Sequence, residues 1–164
     1  VDFADVADLA LAMEQKAQSI VGEASLYLWR SKQGWSRAID RQDKKIFDEV
    51  HSGSALVVIN TQGDLERLVS VAAIRMYLQE SPDFILVQIA KVEDGGVLVP
   101  DCKLPGGKQA RGELPEEATQ RYILTKLPHL LDHLILERMD REVVGTWSKT
   151  ASLYTKYIRN ISNC

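Results

Sequence analysis

The chain has 164 residues, 20 of them basic and 23 acidic, with a net charge of −3 at pH 7 and an isoelectric point near 5.6. That balance argues against nucleic acid or an anionic membrane as partner, and no run approaches the ~20 apolar residues that span a bilayer. At 45% hydrophobic and 26% charged the composition is that of a globular domain with its own core, and two cysteines, Cys102 and Cys164, are read as free thiols rather than a disulfide framework.

In chain order, Phe3, Val6, Leu9, Ala10, Met13, Ala17, Ile20 and Val21 recur at helical spacing. They predict a helix over 3–21, with Asp2 as its cap and Gly22 as its stop. Residues 24–29 (ASLYLW) are short and aromatic and predict a strand. Lys32-Gln33-Gly34 is its turn and 35–39 its hairpin partner. A helix is expected over 40–51, burying Ile46, Phe47 and Val50 and closed by Gly53. The apolar run 55–59 (ALVVI) is a buried strand, and Gln62-Gly63-Asp64 is a turn. Residues 68–78 (LVSVAAIRMYL) fit helix or strand alike. Ser81-Pro82-Asp83 breaks the chain, 84–92 is one strand, and Asp94-Gly95-Gly96 turns it into 97–99.

The informative stretch is 104–126, LPGGKQARGELPEEATQRYILTK. Pro105 stops what precedes it, and the pair Gly106-Gly107 permits backbone angles other residues resist. Gly112 ends a short loop. Pro115 suits a first helical turn, and Glu113, Glu116 and Glu117 crowd the positive end of the helix dipole. Ala118, Tyr122, Ile123 and Leu127 fall on one side. Glu113, Glu117 and Arg121 succeed one another at intervals of four and share a face.

The same residues resemble the Nudix box. Gly107, Glu113 and Arg121 stand at that family's spacing, preceded by Leu-Pro-Gly-Gly-Lys and followed by Glu116-Glu117-Ala118. Over its second half the chain departs. Tyr122 replaces the glutamate that follows the family's arginine, and Thr125 and Lys126 replace its glutamate pair. Pro128 stands near the family's last glycine, while Ile123 keeps its hydrophobic place. The resemblance, which covers about 66–126, implies an α/β (α+β) fold with a mixed sheet flanked by helices. It also implies a Mg²⁺-dependent hydrolysis of nucleoside-diphosphate-linked substrates whose metal ligands are missing here. Hard divalent cations need charged oxygen ligands, and Lys126 puts a cation where a cation should bind. The resemblance further implies more strand after the box than this reading leaves, so either the fold is reduced or sheet edges come from the first sixty residues.

Beyond the box the spacing of Leu127, Leu130, Leu131, Leu134 and Ile135 continues the helical pattern over 127–143. Leu153, Tyr154, Tyr157, Ile158 and Ile161 predict a closing amphipathic helix. His129, His133 and Glu137 at intervals of four have zinc-binding spacing, though a solvated polar face explains them as well. Cys102 would need a positioned histidine to act as a nucleophile. The order of 3–60, helix, SLYLWRS, helix, LVVIN, is similar to the opening of a GAF-type ligand sensor.

These features predict one Nudix-like domain over 1–164 with a helical N-terminal extension. It is expected to be cytoplasmic and to be excised from a larger intracellular protein or else a processed chain, since Val1 opens the chain and Asp2, Asp5 and Asp8 stand where a secretory leader would be basic. The expected role is a non-catalytic regulatory or interaction module without cofactor. Its expected partners are other domains or subunits, or a nucleotide or phosphorylated small molecule held by Gly106, Gly107, Lys108, Glu113, Glu117, Arg121 and Lys126. The alternatives are an active hydrolase holding Mg²⁺ on Glu113, Glu116 and Glu117 with Asp101, and a GAF-type sensor with its pocket in 24–60.

Overall fold

A computed structural model describes residues 15–33, 41–60, 62–93, 95–148 and 153–164. The order is α1 (Gln15–Gln33), α2 (Arg41–Ser52), β1 (Leu56–Ile59), β2 (Leu65–Arg75), β3 (Tyr77–Leu78), β4 (Ser81–Ile85), β5 (Gln88–Val92), β6 (Leu98–Lys103) and β7 (Gly106–Lys108). Then come α3 (Pro115–Lys126), a 3-10 turn (Pro128–His133), β8 (Arg138–Ser148) and β9 (Leu153–Asn163). The fold is α+β. Its main sheet runs β1-β2-β9-β8, with β7 also paired to β2, and β3-β4 and β5-β6 form two small hairpin sheets. The main sheet is mixed. β1 and β7 lie antiparallel to β2. Near the end of β9 the Cys164 N–H donates to the Arg75 carbonyl while the Tyr77 N–H donates to the Cys164 carbonyl, which is the slanted pattern of a parallel pair. No helix among the described residues is long and apolar enough to cross a membrane.

The chain divides into two compact units. One holds residues up to Ser70 with Ala110–Glu113 and Val143–Ile158; the other holds Val71–Gln109, Leu114–Glu142 and Arg159–Cys164. In the first, α1 runs through two features expected to end a helix and begin a strand. Gly22 does not stop it, and 24–29 is helical. Gly22, Ser25 and Leu26 are buried and Trp29 is half-buried, while Ile20, Tyr27 and Leu28 are exposed. That is one face of a helix. Gly22 serves close packing, because a Cβ there would lie 2.7 Å from Val50 Cγ1. With 24–29 helical, the GAF-like order of strand and helix does not occur. The proposed helix over 3–14 and hairpin partner over 35–39 lie outside the described residues.

α2 forms where its spacing predicts, and Gly53 closes it at φ 72°, its N–H bonded to the Val50 carbonyl at 3.1 Å. Leu26, Ile46, Val50, Val57, Leu65 and Leu153 make the core of this unit. Through that core runs an ion pair: Arg67, 4% exposed, donates from Nε and Nη2 to Glu49 Oε2 at 2.7 and 2.6 Å. It ties α2 to the sheet, because a buried guanidinium without its carboxylate is costly.

β2 and β3 resolve the ambiguity of 68–78 in favour of strand. Ser81-Pro82-Asp83 opens β4 rather than breaking the chain, with Pro82 in a two-stranded sheet where a missing N–H is tolerated. The single strand expected over 84–92 is two, β4 ending at Ile85 and β5 starting at Gln88. Further corrections follow α3. The helix expected over 127–143 is the 3-10 turn and then β8; the one expected over 153–161 is β9. Leu153 and Thr155 are buried around exposed Tyr154, but from Asn160 to Asn163 every residue is buried. A central strand covered on both faces loses its alternation, and the apolar positions left over imitate a helix. Two long strands therefore follow the box, so the expected shortage of strand does not arise.

Candidate functional site

The candidate residues gather around β7 and α3. Gly106-Gly107 is strand, not loop. Val71 faces Lys108, Ala72 faces Gly107 and Ala73 faces Gly106, and the Ile74 N–H donates to the Pro105 carbonyl at 2.8 Å. Neither glycine of the pair has a positive φ. Gly106 is required for close approach instead, since a Cβ there would collide with the Ala72 carbonyl. At Gly107 a Cβ would meet the ring of Tyr122 at 3.5 Å.

α3 begins as its sequence demands. Leu114 is extended (φ −71°, ψ 154°), Pro115 opens the first turn, and Glu116 and Glu117 lie in it. Glu117 Oε2 accepts the Leu114 N–H at 2.9 Å, satisfying a donor that the helix leaves free. The inner face is Ala118, Thr119 and Ile123. Thr119 shares a 3.0 Å hydroxyl bond with Ser162, and Ile123 joins Ile74 and Met76 in a core flanked by Tyr122, Leu127, Leu130 and Leu134. Arg121 Nη2 donates to the Lys108 carbonyl at 3.1 Å, tying helix to strand.

Tyr122, Thr125 and Lys126, which stand where the Nudix pattern has glutamates, are each accounted for by local structure. Tyr122 is half-buried with its ring beside Gly107. Thr125 Oγ1 donates to the Arg121 carbonyl at 2.8 Å. Lys126 is exposed in the last turn, where a cation favours the helix dipole. An aromatic ring, a hydroxyl bonded to backbone and an ammonium do not fit Mg²⁺.

The structure joins Lys108 to Arg121 and sets Gly107 beside Tyr122. It does not put Arg121 and Lys126 on one face, since five residues of α-helix turn them about 140° apart. Glu113 belongs to the other unit, where its Oε2 accepts the Ala110 N–H at 2.7 Å and Gly112 takes φ 73°. Asp101, in β6, accepts from Gln88 at 3.0 Å and pairs with Lys103 at 2.8 Å. The bond from Lys103 holds its carboxyl below the ordinary range. His129 and His133 both stand on the 3-10 turn, which aligns residues three apart, so the α-helical zinc spacing lapses.

One cluster escaped the sequence reading. Arg75 donates to Asn163 Oδ1 at 3.1 Å and lies 3.7 Å from Asp140 and 3.9 Å from Glu142; Arg159 donates to Glu142 at 3.2 Å. The alternation Arg138, Asp140, Glu142 is the period of a strand, and it was the signal that could have revealed both β8 and the cluster. Cys102 is exposed and Cys164 half-buried, both as thiols. Burial, aided by the charge of Glu137, pushes the Cys164 thiol up.

No protein-family model matches the chain, and no curated protein matches it.

Proposed function

We propose that this chain is a non-catalytic, Nudix-like interaction domain whose helix α3 serves as scaffold. The observation that carries the proposal is the triad of positions Tyr122, Thr125 and Lys126. Their side chains pack on Gly107, bond to the Arg121 carbonyl and face the negative helix end. None of these roles is that of a metal ligand, and the acids nearby cap the helix and its approach. The strand, loop and helix over 106–126 and the long strands after it support the Nudix-like reading.

The geometry favours a protein segment over a nucleotide as partner. Gly106 and Gly107 commit their backbone to the ladder with β2 and form no positive-φ nest of the kind that cradles phosphate. Arg121 and Lys126 diverge around the helix. The test is a thermal-shift series with ADP-ribose, nucleoside-diphosphate sugars and polyphosphate, all without divalent metal. No shift is expected. A metal-free shift abolished by Lys126→Glu would make the partner a phosphorylated ligand instead.

A further inference from the structure

The outer edge of β8 is unused by the functional proposal. β9 is the strand neighbour of β8, and among the described residues no strand lies on its other side. Edge strands are ordinarily guarded by charge, proline, a bulge or brevity. β8 has 11 residues, and its last six, Val143-Val144-Gly145-Thr146-Trp147-Ser148, contain neither charge nor proline. Val143, Val144 and Trp147 are 52, 42 and 64% exposed. Because strand residues alternate, Val143 and Trp147 lie on one face and Val144 on the other, so both faces of the edge are apolar.

This segment lacks the charges by which an edge selects a foreign strand, but it is complementary to itself. An antiparallel pairing about a twofold axis at Gly145 sets Val143 opposite Trp147 of a second copy, Val144 opposite Thr146, and Gly145 opposite Gly145. Aromatic against β-branched is a favourable cross-strand pair, and the symmetry makes it twice. Gly145 is required on its own strand, where the Tyr154 ring and hydroxyl fill the place of a Cβ.

We infer that β8 pairs with β8 of a second copy, antiparallel about Gly145, joining two sheets into one. Such a contact is isologous and closes at two copies. It stands independently of the reading of α3.

Sedimentation equilibrium on the 164-residue chain tests it, with far-UV circular dichroism to verify the fold. The wild type should give twice 18.4 kDa. The double variant Val144→Lys/Thr146→Lys sets lysine against lysine twice and should fall to a single 18.4 kDa chain. The double variant Val144→Glu/Thr146→Lys carries as many charges at the same exposed positions but sets opposite charges against each other. It should keep the dimer and lose it as salt rises. A monomeric wild type at every concentration, a mass above the dimer, or the same mass for both folded variants would overturn the inference.

Discussion

The first turn of α3 and its last two turns carry opposite chemistry on one short helix. At the start, acids meet the positive end of the dipole, and Glu117 closes on the Leu114 N–H. Toward the end, Tyr122 and Ile123 turn to strand and core, Thr125 bonds back to the backbone and Lys126 meets the negative end. Negative charge is therefore placed where it stabilises the helix and is missing where it would gather a metal. The charges of this helix follow the electrostatics of its own ends.

Packing and capping should differ in cost, which makes the comparison breakable. Ile123→Ala opens a cavity against Ile74 and Met76 and should destabilise the chain by about 2–5 kcal/mol in urea unfolding. A value below ~1 kcal/mol, the range of ordinary surface effects, would mean that the later turns of α3 do not hold this core. Glu117→Ala removes the bond to Leu114 as well as a first-turn charge and should cost about 1 kcal/mol or more. Glu116→Ala, in the same turn, sharpens this: losing dipole interaction alone, it should cost about 0.3–1 kcal/mol and shrink with salt. Equal, salt-independent losses at both positions would contradict the separate role given to Glu117.

Elements with strong local signals were legible in the sequence. α2 shows its period and its closing glycine, and α3 has Pro115 with acids behind it. β1 is an apolar run too short for a helix. The errors fall where tertiary burial overrides local pattern. Gly22 looked like a stop because its packing against Val50 involves a residue twenty-eight positions away. Residues 24–29 looked like a strand because aromatic content outweighed a one-sided helical face. β9 imitated a helix because a central strand buries Thr155, Asn160, Ser162 and Asn163 along with its leucine and isoleucines. Polar residues at buried positions hide the period unless their partners, here Arg67, Gln109, Thr119 and Asp140, are known.

At the site, the spacing of Gly107, Glu113 and Arg121 marked the loop and the helix but took the glycine pair for loop, where the structure has strand. It could not show that the glycine pair lies in a ladder, nor that Arg121 is engaged with the Lys108 carbonyl. Lys126 became a candidate by its place in the motif; the helical turn carries it away from Arg121.

The most direct test of the central claim is the melting temperature of the chain with ADP-ribose, compared between Mg²⁺ and EDTA, with product release followed in the same samples. A ligand at a hundredfold its dissociation constant stabilises a fold by about 2.7 kcal/mol, so a functional metal site would be plain in the melt. The account predicts identical melting with Mg²⁺ and with EDTA, and no turnover. A Mg²⁺-dependent rise accompanied by hydrolysis would contradict it, and would require carboxylates outside Tyr122, Thr125 and Lys126 to hold the metal.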